Sequence, residues 1–381
     1  MQIQSHVAQK GIGITLSALL AVTSFVGVPA YAQTAVAQDE PGHILSAGRW
    51  GTCDWSFDED SGAMSIATTG ACKVDPDKGN FLNGDADEIA TRHAIKTAEI
   101  KNTITVLYGT EFENMFKGAS AFTELKGMGN FDFSQTGSGL SIAGMFSGTN
   151  FKKADFNNLK IENNQISMAH LLDGAVCDEI DTSQIPFDKH VNSVAGMFAN
   201  MRYLTSITLP EVQAEDLMNT SHMFESDYAL TSVDWNIEAK DISDIAAMFA
   251  DCPQLKSVDL SKMHAQAISE SSFVFGSCPN LKEINLGDMQ FNQLQQPALA
   301  SSMFYQTGVK KITLTRSAIT RFNDLYDPQE LFTGTFPGTP MTKWRGENPN
   351  TKTEEERLWL HWGNQADFPD AGHIFTLTVV D

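Results

Sequence analysis

Residues 197–209 read MFANMRYLTSITL, residues 223–235 read MFESDYALTSVDW, and residues 248–260 read MFADCPQLKSVDL. The pattern returns as VFGSCPNLKEINL at 274–286 and as MFYQTGVKKITL at 303–314. Successive copies begin 26, 25, 26 and 29 residues apart. A period in this range, with apolar residues in fixed columns, marks a solenoid of stacked supersecondary units.

Each unit has a physical reading. Ile207 and Leu209 lie two apart and share one face of a strand, with Ser206 and Thr208 on the other. Met197-Phe198 stands seven residues before Leu204 and fits a short helical turn whose Phe seals the far side of the coil. One unit cannot bury its apolar face, but stacking sets Phe on Phe and Leu on Leu, so a continuous core grows with each copy. The expected fold is a leucine-rich-repeat-like solenoid of short parallel strands alternating with short helical turns, about 25–30 residues per coil.

Upstream the period persists while the residues drift. Met145-Phe146 leads to Phe151 and Phe156, Leu171-Leu172 follows 26 residues later, and Met115-Phe116 with Phe122 and Leu125 is the first recognisable copy. Leu331-Phe332 is a degenerate last candidate. About eight or nine units then span residues 110 to 335, well above the three or so that an array needs.

The formal net charge is −21, and Lys10 is the sole charged residue among the first 32. Nucleic acid and anionic membrane both require a basic footprint, so neither is an expected partner. Lys10, the apolar run Ile12 to Val28 and Ala30-Tyr31-Ala32 form a secretory signal peptide over residues 1–32. No other apolar stretch of about 20 residues occurs, so no membrane span is expected in the mature chain. The C-terminal Phe375 to Asp381 segment is strand-like and carries no sorting signal or apolar anchor. Release, non-covalent attachment and an anchor encoded further on all remain open.

Residues 33–89 read as a polar tether followed by a capping β-hairpin. Trp55-Ser56-Phe57 alternates against Met64-Ser65-Ile66 across the acidic turn at Glu59 to Gly62, and Cys53 and Cys72 bracket it as a candidate disulfide. From Val74 to Glu88 the composition reads as a loop, and Ala94 to Tyr108 returns to strand-like alternation and begins the array, assigned to residues 90–335. Residues 336–381 form a cap or small module containing Trp344, Trp359 and Trp362.

The copies resemble the BspA-like leucine-rich repeats of bacterial surface proteins, first catalogued as a domain of unknown function in mycoplasmas and lactic-acid bacteria. The usual unit of that family is similar to Met-Phe-x-x-Cys-x-x-Leu-x-x-Leu-Asp-Leu-Ser, which Met248 to Ser261 follows almost residue for residue. The resemblance covers about residues 90–335 and is specific for fold rather than ligand. The copy at Leu171 departs from it by lacking Met-Phe, which bears on local packing only. The resemblance implies a secreted or cell-surface interaction protein, an adhesin binding host extracellular matrix, host-cell glycoproteins or neighbouring microbes. A second reading makes the array a spacer and has Trp344, Trp359 and Trp362 bind the polysaccharide of a bacterial cell wall.

No catalytic motif emerges, and no cofactor or metal is expected. His170 and His222 share the column just before Met-Phe, where other copies carry Gly, Ala or Ser, and read as fillers. Cys252 and Cys278 hold one column in successive coils, and no Cys-x-x-Cys spacing points to zinc or thiol chemistry. The acidic stretch Asp75 to Glu88 fails the EF-hand pattern, with Gly79 and Asn80 at the wrong places, and reads as a solvated loop. What remains is surface: Thr208, Asp234, Asp259, Asn285 and Thr313 form one outward column, a candidate ligand face on a sheet about 40 Å long, from about eight coils at about 4.8 Å each.

Overall fold

The computed structural model describes residues 43–74, 81–108, 113–137, 139–154, 165–187, 190–295, 302–325, 343–348, 350–358, 362 and 370–380. Residues 1–32, expected to be a signal peptide, and Phe156, Leu331-Phe332 and Trp359 lie outside these residues. The described chain is a β-solenoid whose coils stack in parallel through three ladders.

The front ladder is the Leu-x-x-Ile-x-Leu column. Strands Ser206–Thr208, Ser232–Asp234, Ser257–Asp259, Glu283–Asn285 and Lys311–Thr315 pair in parallel. Three antiparallel strands, Ile374–Val379, Lys343–Asn348 and Thr353–Leu358, then continue the same sheet. At the other end Cys53–Asp58 and Ala63–Ile66 form the expected hairpin, with Trp55 opposite Ile66 and Phe57 opposite Met64. Its second strand pairs in parallel with Thr97–Ile100, which pairs with Glu124–Lys126, and that with Lys153–Ala154. The array is therefore begun and finished by antiparallel strands laid on its sheet, each converting a parallel coil edge into an ordinary sheet margin. Cys53 and Cys72 are bonded beneath the first of these caps.

The Met-Phe segments differ from expectation: they are successions of tight turns, not helices. Their backbone N–H groups are used between coils. In the 223 copy, the N–H groups of His222, Phe224 and Ser226 donate to the carbonyls of Ala246, Met248 and Ala250 in the next coil, at 2.8, 2.9 and 2.8 Å. A helix would consume those donors internally. The ladder is made possible by two left-handed residues per turn. The position before Met-Phe has φ between 51° and 61° in Asn114, Gly144, His170, Gly196, His222, Ala247, Phe273 and Ser302. The third position after the Met column has φ between 52° and 79° in Gly118, Gly148, Gly174, Asn200, Ser226, Asp251, Ser277 and Gln306. None of these is Val, Ile or Thr, whose branched side chains make a left-handed backbone a genuine outlier.

Inside the coil the Phe column stacks as expected. Ring centroids of Phe198, Phe224, Phe249, Phe275 and Phe304 follow one another at 5.6, 5.3, 5.8 and 5.9 Å, with planes within 14° of parallel. Phe116 and Phe146 repeat the arrangement at 5.9 Å, and Leu172 occupies the column between the two runs, equally buried.

Two further differences concern the ends of the array. Residues Ala86–Ala94 form a helix where Val74 to Glu88 was expected to run as loop. Asp85 caps it by accepting from the Glu88 N–H at 2.9 Å, and Glu88 reaches back to the Gly84 N–H at 2.6 Å, a variant of the reciprocal capping box. Arg316–Leu325 is likewise helical, burying Ala318, Ile319 and Phe322 against the last coil.

Candidate interaction faces

The sequence-predicted column is real in register: Thr208 lies opposite Asp234, Asp234 opposite Asp259, Asp259 opposite Asn285, and Asn285 opposite Thr313. Ile207, Val233, Val258, Ile284 and Ile312 alternate with it on the buried side. The five members are not equivalent. Asp259 accepts from the N–H and hydroxyl of Ser261 at 2.9 and 2.6 Å. Partial burial works against its ionisation, and these bonds together with the Asn285 side chain outweigh it, holding the carboxyl below its ordinary range. Asn285 accepts from the Gly287 N–H at 3.0 Å, and Thr313 shares its hydroxyl with Thr376 at 2.9 Å. Among the described residues the Thr208 hydroxyl and the Asp234 carboxylate take no such partner, so the open chemistry of the column is at its Thr208 end.

A second exposed column was missed. Ser206 lies beside Ser232, and Ser257, Glu283 and Lys311 continue along the same side of the sheet. Lys311 Nζ meets Glu283 Oε2 at 3.0 Å. Strand alternation gave the signal, since these positions flank the buried Ile and Val on the other side.

Another polar column lies along the ladder that precedes each turn. The side-chain oxygens of Ser141, Ser167, Ser193, Asn219, Asp244 and Glu270 each accept from the backbone N–H two residues on, at 3.3, 3.5, 3.4, 2.8, 3.0 and 3.0 Å. Their role is to hold the entry to the turn.

The remaining candidates resolve into structure. His170 and His222 occupy left-handed positions, and their Nδ1 atoms meet Asp173 and Glu225, three residues on, at 3.2 and 2.8 Å. The Glu225 hydrogen bond raises the His222 pKa. Cys252 and Cys278 are free, buried thiols that donate to the carbonyls of Phe224 and Phe249 at 2.9 and 3.0 Å, and burial pushes the Cys278 thiol up to about 12. Cys177 is also free and buried, its pKa raised to about 11 by burial. Such thiols are unreactive. Trp344 is 1% exposed and Trp362 0%, with Trp362 Nε1 donating to the Trp344 carbonyl, so these two form cap core and not an aromatic platform. The alternative reading of an exposed aromatic platform therefore has no open ring at Trp344 or Trp362.

Asp227 went unnoticed in the sequence. It is fully buried in the turn column shared with Ala175, Met201 and Cys252, where its Oδ1 accepts from the Met201 N–H at 2.8 Å. Its Oδ2 has no hydrogen-bond partner among the described residues, and burial pushes its pKa up to about 9. The group is held as a neutral acid.

Among the described residues no three His, Cys, Asp or Glu side chains converge to hold a metal ion, and no helix is long and apolar enough to cross a membrane. Comparison with known families gives two matches. Residues 173–302 match, in six copies, the model described as BspA type Leucine rich repeat region. Residues 94–206 match the model described as Mycoplasma protein of unknown function. None of the curated proteins matches the chain.

Proposed function

We propose, from the BspA-type leucine-rich repeats matched over residues 173–302, that the chain is a secreted or cell-surface interaction protein, of adhesin type, whose front sheet binds a host matrix or cell-surface macromolecule. Solenoids of this class serve as interaction scaffolds, and proteins with these repeats are typically surface-associated. The observation that supports the reading is the in-register pair of polar columns running from Ser206 and Thr208 through Ser232 and Asp234. A repeating, faceted sheet presents many weak contacts to a large partner, whereas enclosing a small substrate takes a concave apolar pocket. The wall-binding alternative depended on exposed tryptophans, and the burial of Trp344 and Trp362 removes its support at those positions.

The test is a binding screen of the purified chain against immobilised host matrix proteins and intact bacterial cell walls, with a Ser232→Arg/Asp234→Arg variant beside it. Saturable binding to a host protein, lost in the variant while its melting temperature holds, supports the reading. Binding to neither surface, or binding that the variant leaves unchanged, contradicts it.

A further inference from the structure

Among the described residues the front sheet is interrupted once. Between Lys153–Ala154 and Ser206–Thr208 one coil, the Leu171 copy, contributes no front strand: residues 178–181 run as irregular chain and Thr182–Gln184 forms a single 3-10 turn. No β pairing joins the chain there to the Ser206–Thr208 strand, and both line a cleft of about 550 Å³ that Thr182 bridges.

One wall of the cleft is an open strand edge. On the inner side of that strand, the Thr205 carbonyl accepts from the Thr231 N–H at 2.8 Å and the Leu209 N–H donates to the Asp234 carbonyl at 2.9 Å. The two-residue period of a strand then aims the backbone groups of Ser206 and Thr208 at the opposite edge, into the cleft. Among the described residues, what meets them is one side chain, the Thr182 hydroxyl, which donates to the Thr208 carbonyl at 2.6 Å. The other wall is acidic. Asp178 and Glu179 are exposed, Asp181 follows with its carboxylate capped by Ser183, and among the described residues no Lys, Arg or His lines the cleft.

A bare strand edge is normally protected by charge, proline or a bulge. The far edge of this same sheet, Thr353–Leu358, carries Glu354, Glu355 and Glu356 in succession. The edge Ser206-Ile207-Thr208 carries no charge, proline or bulge within its three residues, with Pro210 just beyond it. Its backbone groups, the space beside them and the facing carboxylates together fit one occupant.

We propose that this cleft takes an extended, lysine- or arginine-bearing peptide segment of a partner protein, which adds as a strand to the Ser206–Thr208 edge while its basic side chains meet Asp178 and Glu179. Main-chain hydrogen bonds supply affinity in such strand addition, and side chains supply selectivity. The carboxylates repel acidic segments, another copy of this acidic chain among them. The proposal rests on the array being a binding protein but uses the backbone edge of the Ser206–Thr208 strand, not the outward side chains of the columns that begin there.

The test uses the full chain and a fluorescein-labelled peptide of alternating Lys and Val, about seven residues long, enough to overrun the three-residue edge. Beside it stand a Glu-Val counterpart and a Lys-Val peptide N-methylated at alternate residues. Fluorescence anisotropy is expected to rise saturably with Lys-Val and not with Glu-Val. N-methylation, which keeps charge but removes strand donors, is expected to weaken binding at least about tenfold, as is Asp178→Asn with Glu179→Gln. Hydrogen exchange is expected to show new protection at the Ser206 and Thr208 amides. Equal binding of the N-methylated peptide would reduce the effect to charge attraction and overturn the proposal. Absence of saturable binding, binding that the Asp178→Asn/Glu179→Gln variant leaves unchanged, or protection elsewhere would also overturn it. The Ser232→Arg/Asp234→Arg variant separates this failure from that of the broader reading, because it alters the exposed columns and leaves the cleft edge intact.

Discussion

The 223 coil and the Leu171 coil use the same turn and differ in the front strand that follows it. In the first, His222, Phe224 and Ser226 donate to the next coil; in the second, His170, Leu172 and Gly174 donate to Ala195, Met197 and Ala199 at 2.7, 2.9 and 2.7 Å. The ladder passes through Leu171-Leu172 without a break, although the Met-Phe pair is gone. The front strand, by contrast, is present after the 223 turn and absent after the Leu171 turn. The array is therefore propagated by the left-handed turns, and the front strand is a separable addition. The missing Met-Phe leaves the local packing closed, since Leu171 and Leu172 are buried, and the change in the coil falls some ten residues downstream.

Substitutions sharpen this contrast. Phe224→Ala, which opens a hole in the stack between Phe198 and Phe249, is expected to cost about 3–5 kcal/mol by chemical denaturation. Ile180→Ala, in the half-buried irregular chain of the Leu171 coil, is expected to cost about 1–2 kcal/mol. Equal costs would mean that the two coils contribute alike.

The next effect is a pH dependence seated in the regular half. The unfolded Asp227 releases its proton near 3.8, whereas the folded group keeps it to about 9. Between those values the folded chain binds the extra proton, so stability falls as pH rises. Melting temperature is expected to decline from pH 5 to pH 9 in the native chain, and Asp227→Asn to flatten that slope. An unchanged slope in Asp227→Asn would place the titrating group elsewhere.

Smaller still is a pair at the left-handed positions. Gly196→Val places a branched side chain at φ 59° with its Cβ 2.5 Å from the His170 ring, and is expected to cost about 2–3 kcal/mol. Gly174→Ala has open space at φ 68°, and is expected to cost about 1 kcal/mol, conformation alone. Ser257→Ala, on the exposed front face, is expected to stay within about 0.5 kcal/mol.

The sequence made the stacking legible because side-chain columns carry it: Phe198 to Phe304 and Ile207 to Ile312 repeat at the coil period. The backbone of the turn was harder to read. Its signal was present in Gly144, Gly196, Gly148, Gly174, Asn114 and Asn200, residues that tolerate positive φ, but the apolar Met-Phe pair drew the reading toward a helix. The helix at Ala86–Ala94 was also announced by Asp85 and Glu88 at capping-box spacing, and was obscured by the acidic run around it. The cleft could not be read from the repeat, since Cys177 and Ile180 preserve the apolar columns. Only the acidic flanks of Ile180, Asp178-Glu179 and Asp181, hint at a failing strand, in place of the Ser and Thr that flank Ile207.

Backbone hydrogen exchange of the full chain tests the separation of turn and strand most directly. The amides of His170, Leu172 and Gly174 are predicted to be protected as strongly as those of His222, Phe224 and Ser226, while Ser206 and Thr208 exchange rapidly. Fast exchange across the Leu171 turn, or slow exchange at Ser206 and Thr208 without a bound peptide, would contradict it.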